Sequence, residues 1–591
     1  MAYLGVAAVI ATIAAACAPD AGSGASDALL SSTTVAVSTT PTTTAEPLAS
    51  TTTTTQLPAH PYGGTVIVGD DQEPPTLNVF IPGGDSSVAA RIGQTYLAGV
   101  QEIDGTTLEL VPELVTDLPD LENGGVVLNA DGTMTVSYQI RDEATWSDGV
   151  PVSGRDFQFT LDLILDRSLP VNRGVYDDVV EAAFGAKTFS YTLAHPTVQY
   201  ELLFGTILPA HAVEGTDFLV DWNDVMWPSA GPFVLEEWVK GESITVVRND
   251  RYWKHDPETR QRLPYLDAVV LRFIGATEGL IDAFVARELD VIQPPPDTGV
   301  IERLQALEPA GARVEVLAGP IWEHLSFQFG QGRFERNPDS CNESLAMRTA
   351  VAYTVDRSVI TDEILAGQVH PMDSYVEAYR PSLSTGAWAK YEPDVDRARA
   401  AYATAVSETG RTCTVVFTTT SNNDARVKMA GLFASMFEAA GIPYVNELED
   451  SQRFVGETLS AGRMDLAEWA WIGSPGLSGL VASFDLFDPE APPPPGSNYY
   501  RWGTEDSAVI DESTRRFAAI RDEVNATIDP STIEGLVAEA ETLLAEDLVI
   551  IPLYSRLVTA AVWADEVGGY KHNPTQATDT WNIEEWYRTD L

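Results

Sequence analysis

The sequence predicts a mixed α/β protein, and three observations carry that reading. Thr65-Val-Ile-Val68 and Met134-Thr-Val-Ser-Tyr-Gln-Ile140 have strand composition, and in the second the apolar residues alternate with polar ones, as in a half-buried strand. Ile533, Leu536, Val537, Ala540 and Leu544 recur at helical spacing. Hydrophobic residues make up 44% and aromatic residues 9% of the 591 positions, enough to fill several cores of ordinary domain size.

Residues 1–19, MAYLGVAAVIATIAAACAP, are uncharged and apolar. They fall short of the roughly 20 apolar residues that span a bilayer and end abruptly, so they read as a secretory signal. Ala14, Ala15 and Ala16 directly before Cys17 resemble the lipobox of bacterial lipoproteins, which predicts a signal peptide over 1–17 and Cys17 as the lipidated residue. The usual Leu three places before the cysteine is Ala14 here. Residues 18–61 are dominated by Ser, Thr, Ala and Pro and cannot bury a core, so they form an extended tether.

The first strand, Thr65–Val68, leads into a turn-rich loop, Glu73-Pro-Pro-Thr-Leu-Asn78. Asn129-Ala-Asp-Gly132 is a hairpin-type turn feeding the alternating strand at Met134. Leu345 to Leu365 reads as a helix pair, with Asp356 placed to cap the second member. The helix over Ile533–Leu544 follows Ser531 and Thr532, whose hydroxyls suit its first free N–H groups, and Val549-Ile-Ile-Pro-Leu-Tyr554 is an apolar run of strand length.

The chain has 36 Lys plus Arg against 86 Asp plus Glu, a formal net charge of −50. Such a surplus excludes a broad basic face for nucleic acid and favours neutral or cationic solutes over anionic ones. Three cysteines exclude a disulfide-dense scaffold and a multi-cysteine metal cluster. Cys341 and Cys413 either form one disulfide, if the chain is exported, or stand as two buried free thiols.

Catalytic and cofactor motifs are missing from the sequence. There is no triphosphate-binding G-x-x-x-x-G-K-[ST], no H-E-x-x-H and no G-x-S-x-G elbow; Gly330-Gln-Gly332 lacks the third glycine of a dinucleotide loop. The seven histidines are scattered. The sequence therefore predicts no catalytic residue, no metal and no cofactor. It is instead rich in Trp and Tyr, grouped in Trp469-Ala-Trp471, Tyr499-Tyr500-Arg501-Trp502 and Trp581 to Trp586. Such side chains combine an apolar body with a polar handle, which suits gripping a part-polar ligand.

Taken in order, the segments resemble the extracellular solute-binding proteins of ABC transporters, family 5, the oligopeptide/dipeptide/nickel class. The resemblance rests on Ile140-Arg-Asp-Glu-Ala-Thr-Trp-Ser-Asp-Gly-Val-Pro-Val-Ser-Gly-Arg-Asp-Phe157, then Ala230-Gly-Pro-Phe233, Arg248-Asn-Asp-Arg-Tyr-Trp253, Pro264-Tyr-Leu-Asp267 and Ala286-Arg-Glu-Leu-Asp290. Trp322-Glu-His-Leu-Ser-Phe327, Met347-Arg-Thr-Ala-Val-Ala-Tyr-Thr-Val-Asp-Arg357 and Pro552-Leu-Tyr554 continue it, so that it runs from about Gly63 to Leu591. The signature residues read as structural, with Asp148 bonding local backbone and Gly149 supplying a positive φ.

The resemblance implies a two-lobed periplasmic-binding-protein-like fold (class II, large type) with an extra subdomain in lobe I. Lobe I would comprise 62–98, 209–300 and 556–591, the extra subdomain 99–208, and lobe II 301–555. The ligand cleft would be lined by Thr76 and Asn78 of the loop after the first strand, by Trp322, and by Trp471 and Ser474 at a Trp-rich strand end. Asn498, Tyr499, Tyr500, Arg501 and Trp502 would complete it. Relatives that hold a peptide's free ammonium place an Asp after that strand, where this chain has Gly473, Ser474 and Pro475. A longer peptide held through its backbone, or an oligosaccharide stacked on Trp471 and Trp502, fits better than a di- or tripeptide.

The implied function is an extracytoplasmic monomer, anchored to the cytoplasmic membrane by lipid, that captures a small solute, a peptide above all, and hands it to the transmembrane subunits of an ABC permease. The competing readings are a secreted hydrolase of peptides or esters and an oligosaccharide-binding or peptide-sensing protein of the same fold.

Overall fold

The structure, a computed structural model, describes residues 59–81, 84, 86–171, 173–296, 298–421, 423–450, 453–493 and 496–591. Cys17, the signal segment and nearly all of the tether lie outside the described residues.

Ten strands form one mixed sheet in the order Tyr444–Glu449, Val415–Thr420, Leu466–Ile472, Ala312–Phe327, Ile550–Trp563, Val291–Ile292, Thr65–Asp70, Ala268–Phe273, Ser243–Arg248 and Phe233–Val239. The predicted first strand is interior and parallel to both its neighbours, which is why Val66 and Val68 are fully buried and the run reads as apolar rather than alternating. A separate antiparallel sheet of four strands, ordered Val126–Leu128, Met134–Gln139, Thr188–Leu193 and Val179–Phe184, carries the helix Gly154–Leu165. Here Met134, Val136 and Tyr138 point into the core while the intervening residues face out, as their alternation predicts.

The fold is the two-lobed α/β arrangement with an extra subdomain. One apolar core gathers Val66, Ile92, Leu208, Phe233, Val269 and Trp586; another holds Met134, Tyr138, Trp146, Phe157 and Phe204; the most extensive, in the second lobe, holds Trp322, Leu325, Phe417, Phe433, Leu480 and Leu544. Two long antiparallel strands, Ala312–Phe327 and Ile550–Trp563, run from one lobe into the other. Their register breaks between the Ala318–Leu557 and Trp322–Ser555 pairs, leaving Gly319, Pro320 and Ile321 outside the mutual ladder opposite Arg556. Before the break they pair beside the first lobe's Val291–Ile292; after it, beside the second lobe's Leu466–Ile472. The break is the point at which the two strands exchange one set of neighbours for the other.

Local expectations are met in most places. Asp356 caps the helix Arg357–Leu365 by accepting from the amides of Ser358 and Val359. Asp148 accepts from the Val150 amide at 3.0 Å, and Gly149 has φ +92°. Two differ. The late helix spans Pro530–Glu546 and is capped by Asp529, which accepts from the Thr532 amide at 2.9 Å, rather than by Ser531 or Thr532: Pro530 takes the first helical position, so the cap must precede it. The apolar run at Val549 extends to Trp563, because its second half enters the other lobe.

Candidate functional site

Adjacent antiparallel strands Ala312–Phe327 and Leu466–Ile472 place Trp322 opposite Trp471 and His324 opposite Trp469. With a side-chain period of two, these four share one face, while Glu323 and Glu468 share the other. The aromatic face is closed by other segments. The His324 ring centroid lies 4.8 Å from that of Trp322 and 4.7 Å from that of Trp469; Tyr500 stacks on Trp469 at 5.6 Å and on Phe487 at 5.1 Å.

A hydrogen-bond chain orders this wall. The Trp471 indole N–H donates to the Tyr500 hydroxyl at 2.7 Å, and that hydroxyl lies 3.0 Å from His324 Nε2. Burial pushes the His324 pKa down to about 3, so the imidazole is neutral. The Tyr500 hydroxyl oxygen already accepts from Trp471, so its own proton is free to donate to His324 Nε2, while the buried Nδ1 has no hydrogen-bond partner among the described residues. Burial also raises the Tyr500 pKa well above its ordinary value, so it remains a donor. The outcome is a fixed Trp471 ring that is only half-buried, at a strand end where Ile472 is 51% exposed. Beyond it Gly473 donates to the Pro320 carbonyl at 2.8 Å, and a Cβ there would come within 3.1 Å of the Ala378 carbonyl. The chain leaves the wall beside the register break, where a side chain in place of Gly473 would press on neighbouring backbone.

The opposite face holds a buried ion network. Arg426 lies 3.0 Å from Glu323 and 3.3 Å from Glu468, Arg556 donates to Glu323 at 2.7 Å, and Thr419 donates to Glu468 at 2.6 Å. Burial disfavours the Glu323 carboxylate, but Arg426 and Arg556 overrule it and hold its pKa below the usual range. Burial, with Glu323 close by, holds that of Glu468 well above it. Arg556 stands at the register break, so the network ties the break to the strand Leu466–Ile472 and the helix that carries Arg426.

The predicted ligand-binding residues fall into three groups. Trp471, Tyr499 and Ser474 are half-buried at the end of the wall, with Tyr499 5.8 Å from Trp471. Trp322, Asn498, Tyr500 and Trp502 are fully buried behind it: Asn498 donates to the carbonyls of Asp488 and Trp502, and Trp502 donates to Asp547 at 3.1 Å and meets Phe517 edge-on. Trp502 therefore has no free face on which a sugar could stack. Arg501, at φ +57°, turns back to the carbonyls of Ser460 and Pro493.

Thr76 and Asn78 form the third group, apart from the rest. Asn78 donates to the Phe218 carbonyl at 2.8 Å and Thr76 lies 3.3 Å from the Asn223 carbonyl, so both pin their loop within the first lobe. His324 and the Glu323–Arg426–Glu468 network escaped the sequence reading, although the Trp322-Glu-His324 alternation in a strand carries the signal. Cys341 and Cys413 form a disulfide, with Cα atoms 5.6 Å apart. Among the described residues no group of three or more His, Cys, Asp or Glu side chains would hold a metal ion, and no helix is long and apolar enough to cross a membrane.

Comparison with known proteins matches residues 109–481 to bacterial extracellular solute-binding proteins, family 5. The oligopeptide-binding protein OppA of Bacillus subtilis is 28% identical over 261 residues, 40% of this chain and 45% of that protein, so this match spans under half of that relative. OppA of Mycobacterium bovis is 24% identical over 542 residues, 85% of this chain and 81% of that protein. Among solved structures, the periplasmic EDTA-binding protein EppA superposes with TM-score 0.74 at 19% identity, covering 92% of this chain and all of that one (100%). The oligopeptide-binding protein AppA from Bacillus subtilis, in complex with a nonapeptide, gives 0.62 at 18% identity, covering 90% and 100%.

Proposed function

The chain belongs to the bacterial extracellular solute-binding proteins of family 5, and from that premise we propose that it captures a peptide between its lobes and delivers it to the permease of an ABC importer. The observation that carries this reading is the half-exposed Trp471 at the end of the aromatic wall, locked by Tyr500 and His324 beside the register break, which on this reading is the pivot between the lobes. A rigid, pre-oriented ring gains apolar contact with a solute at little entropic cost. Its relatives include oligopeptide-binding proteins, and one shares its fold with a nonapeptide bound.

On this reading Trp471, Tyr499 and Ser474 touch the solute, while Trp322, Asn498, Tyr500, Arg501 and Trp502 hold that surface from behind. Thr76 and Asn78 set the loop of the opposing lobe. The strand end offers Gly473 and Ser474 instead of a carboxylate, so the peptide is held through its backbone and apolar side chains more than through its free ammonium.

Calorimetric titration with a tri-, a penta- and a nonapeptide of mixed sequence tests this. We expect saturable one-to-one heat with the longer peptides, no cleavage product by mass spectrometry, and affinity at least tenfold weaker in Trp471→Ala. Product formation, or no heat with any peptide, would count against it. Lipid anchoring at Cys17 is a separate proposal: Cys17→Ser should move the protein from the membrane to the soluble fraction, and unchanged fractionation would refute it.

A further inference from the structure

The turn Val198–Leu202 belongs by chain order and strand pairing to the four-stranded subdomain, and its Thr197 side chain caps it by accepting from the Gln199 amide at 3.2 Å. Tyr200, Leu203 and Phe204 pack into that subdomain's own core. Val198 does not. It is 3% exposed and joins the core of the second lobe, beside the helix Gly476–Ala482. The exchange is reciprocal: Ile528, between the second-lobe helices Glu512–Asn525 and Pro530–Glu546, is buried in the core of the four-stranded subdomain.

Polar groups accompany this exchange. Gln199 donates to the Asn525 side-chain carbonyl at 3.4 Å. Glu201 sits beside Ser478 and Arg380 of the second lobe, and its own carbonyl accepts from Gln101, which fixes the turn to the subdomain. Two side chains from bodies on opposite sides of the pivot thus fill each other's cores. Because apolar burial depends on contact, this interlock exists only when the lobes are together and is lost to water when they part.

We propose that the Val198–Ile528 interlock is a closure latch: it populates the closed form before any solute arrives, and so sets affinity without touching the solute. A binding protein whose competent form is only fractionally populated loses apparent affinity by that fraction, so a latch that raises it strengthens binding of every solute by the same factor. This mechanism rests on the two-lobed capture reading given above but not on the solute being a peptide.

Distances between spin labels test it on the full folded chain without solute, using Val180→Cys on the subdomain and Val445→Cys on the second lobe, both exposed positions. The parent should show a short, closed separation as a substantial population. Val198→Asp and Ile528→Asp should each shift it to a longer separation and weaken nonapeptide binding roughly tenfold or more. Val198→Thr nearly keeps the volume but replaces one buried methyl with a hydroxyl, so it should shift the separation in the same direction by less and serves if the charged variants fail to fold. A parent with only the long separation, or folded variants with the parent's distribution, would overturn the latch. Since the distances are read without peptide, a parent that closes but binds no peptide would refute the peptide reading while upholding the latch.

Discussion

Trp471 and Trp502 show how two identical side chains 31 positions apart take opposite roles. Both stand in aromatic clusters that point to a ligand surface, and periodicity alone does not separate them. What separates them is tertiary: the Tyr500 hydroxyl holds Trp471 at an open strand end, whereas Asp547 and Phe517 enclose Trp502. Trp502→Ala should therefore cost about 3–5 kcal/mol of stability, the range for deleting a large buried ring. Trp471→Ala, which removes a half-buried ring and one hydrogen bond to Tyr500, should cost clearly less than Trp502→Ala. Urea unfolding of both variants checks this, and a Trp502→Ala as stable as its parent would place that ring at the surface. The residues behind the wall were legible as aromatic, but not as inward-facing, since Asn498 and Tyr500 owe their burial to partners about 10 and 176 positions distant.

At the level of elements, the sequence was most informative where one strand or helix faces one environment. The strand Met134–Gln139 alternates because one face is wet, and Asp356 is visible as a cap because its partners are two and three residues on. The sequence pattern shows only the first part of Ile550–Trp563, because the strand changes neighbours midway and no local pattern announces that. The disulfide is likewise non-local. Cys341 adjoins a buried cluster in which Asn337 and Ser340 donate to Asp465 at 2.6 Å each, and Cys413 leads into the strand Val415–Thr420. The bridge closes a loop of 72 residues, for which the chain-entropy estimate is about 4 kcal/mol. Reduction under native conditions should lower the urea midpoint while leaving peptide affinity measurable, because the parallel pairing of Phe417 with Leu466 puts Cys413 before the start of these neighbouring strands and Trp471 at their far end. An unchanged midpoint after confirmed reduction would show that the surrounding hydrogen bonds suffice.

For the whole molecule the decisive quantity is charge. Only Asp20, Asp27 and Glu46 precede residue 59, so 83 of the 86 acids and all 36 bases belong to the folded body, which leaves most of the −50 on its surface. Ion pairs such as Arg303–Glu278 and Arg516–Glu539 bring some of these together. Exposed pairs of this kind contribute roughly 0–1 kcal/mol each and weaken in salt. The acids that have no base to pair with repel one another over the whole surface, and screening relieves that cost. Raising NaCl from about 0.1 to 1 M shortens the screening length from about 10 to 3 Å, below the spacing of most surface carboxylates. The urea midpoint should therefore rise with NaCl, with urea chosen because guanidinium is itself a salt and NaCl because sulfate would strengthen apolar burial independently. A midpoint that stays flat or falls would mean that local ion pairs, not the net charge, govern the electrostatics of this protein.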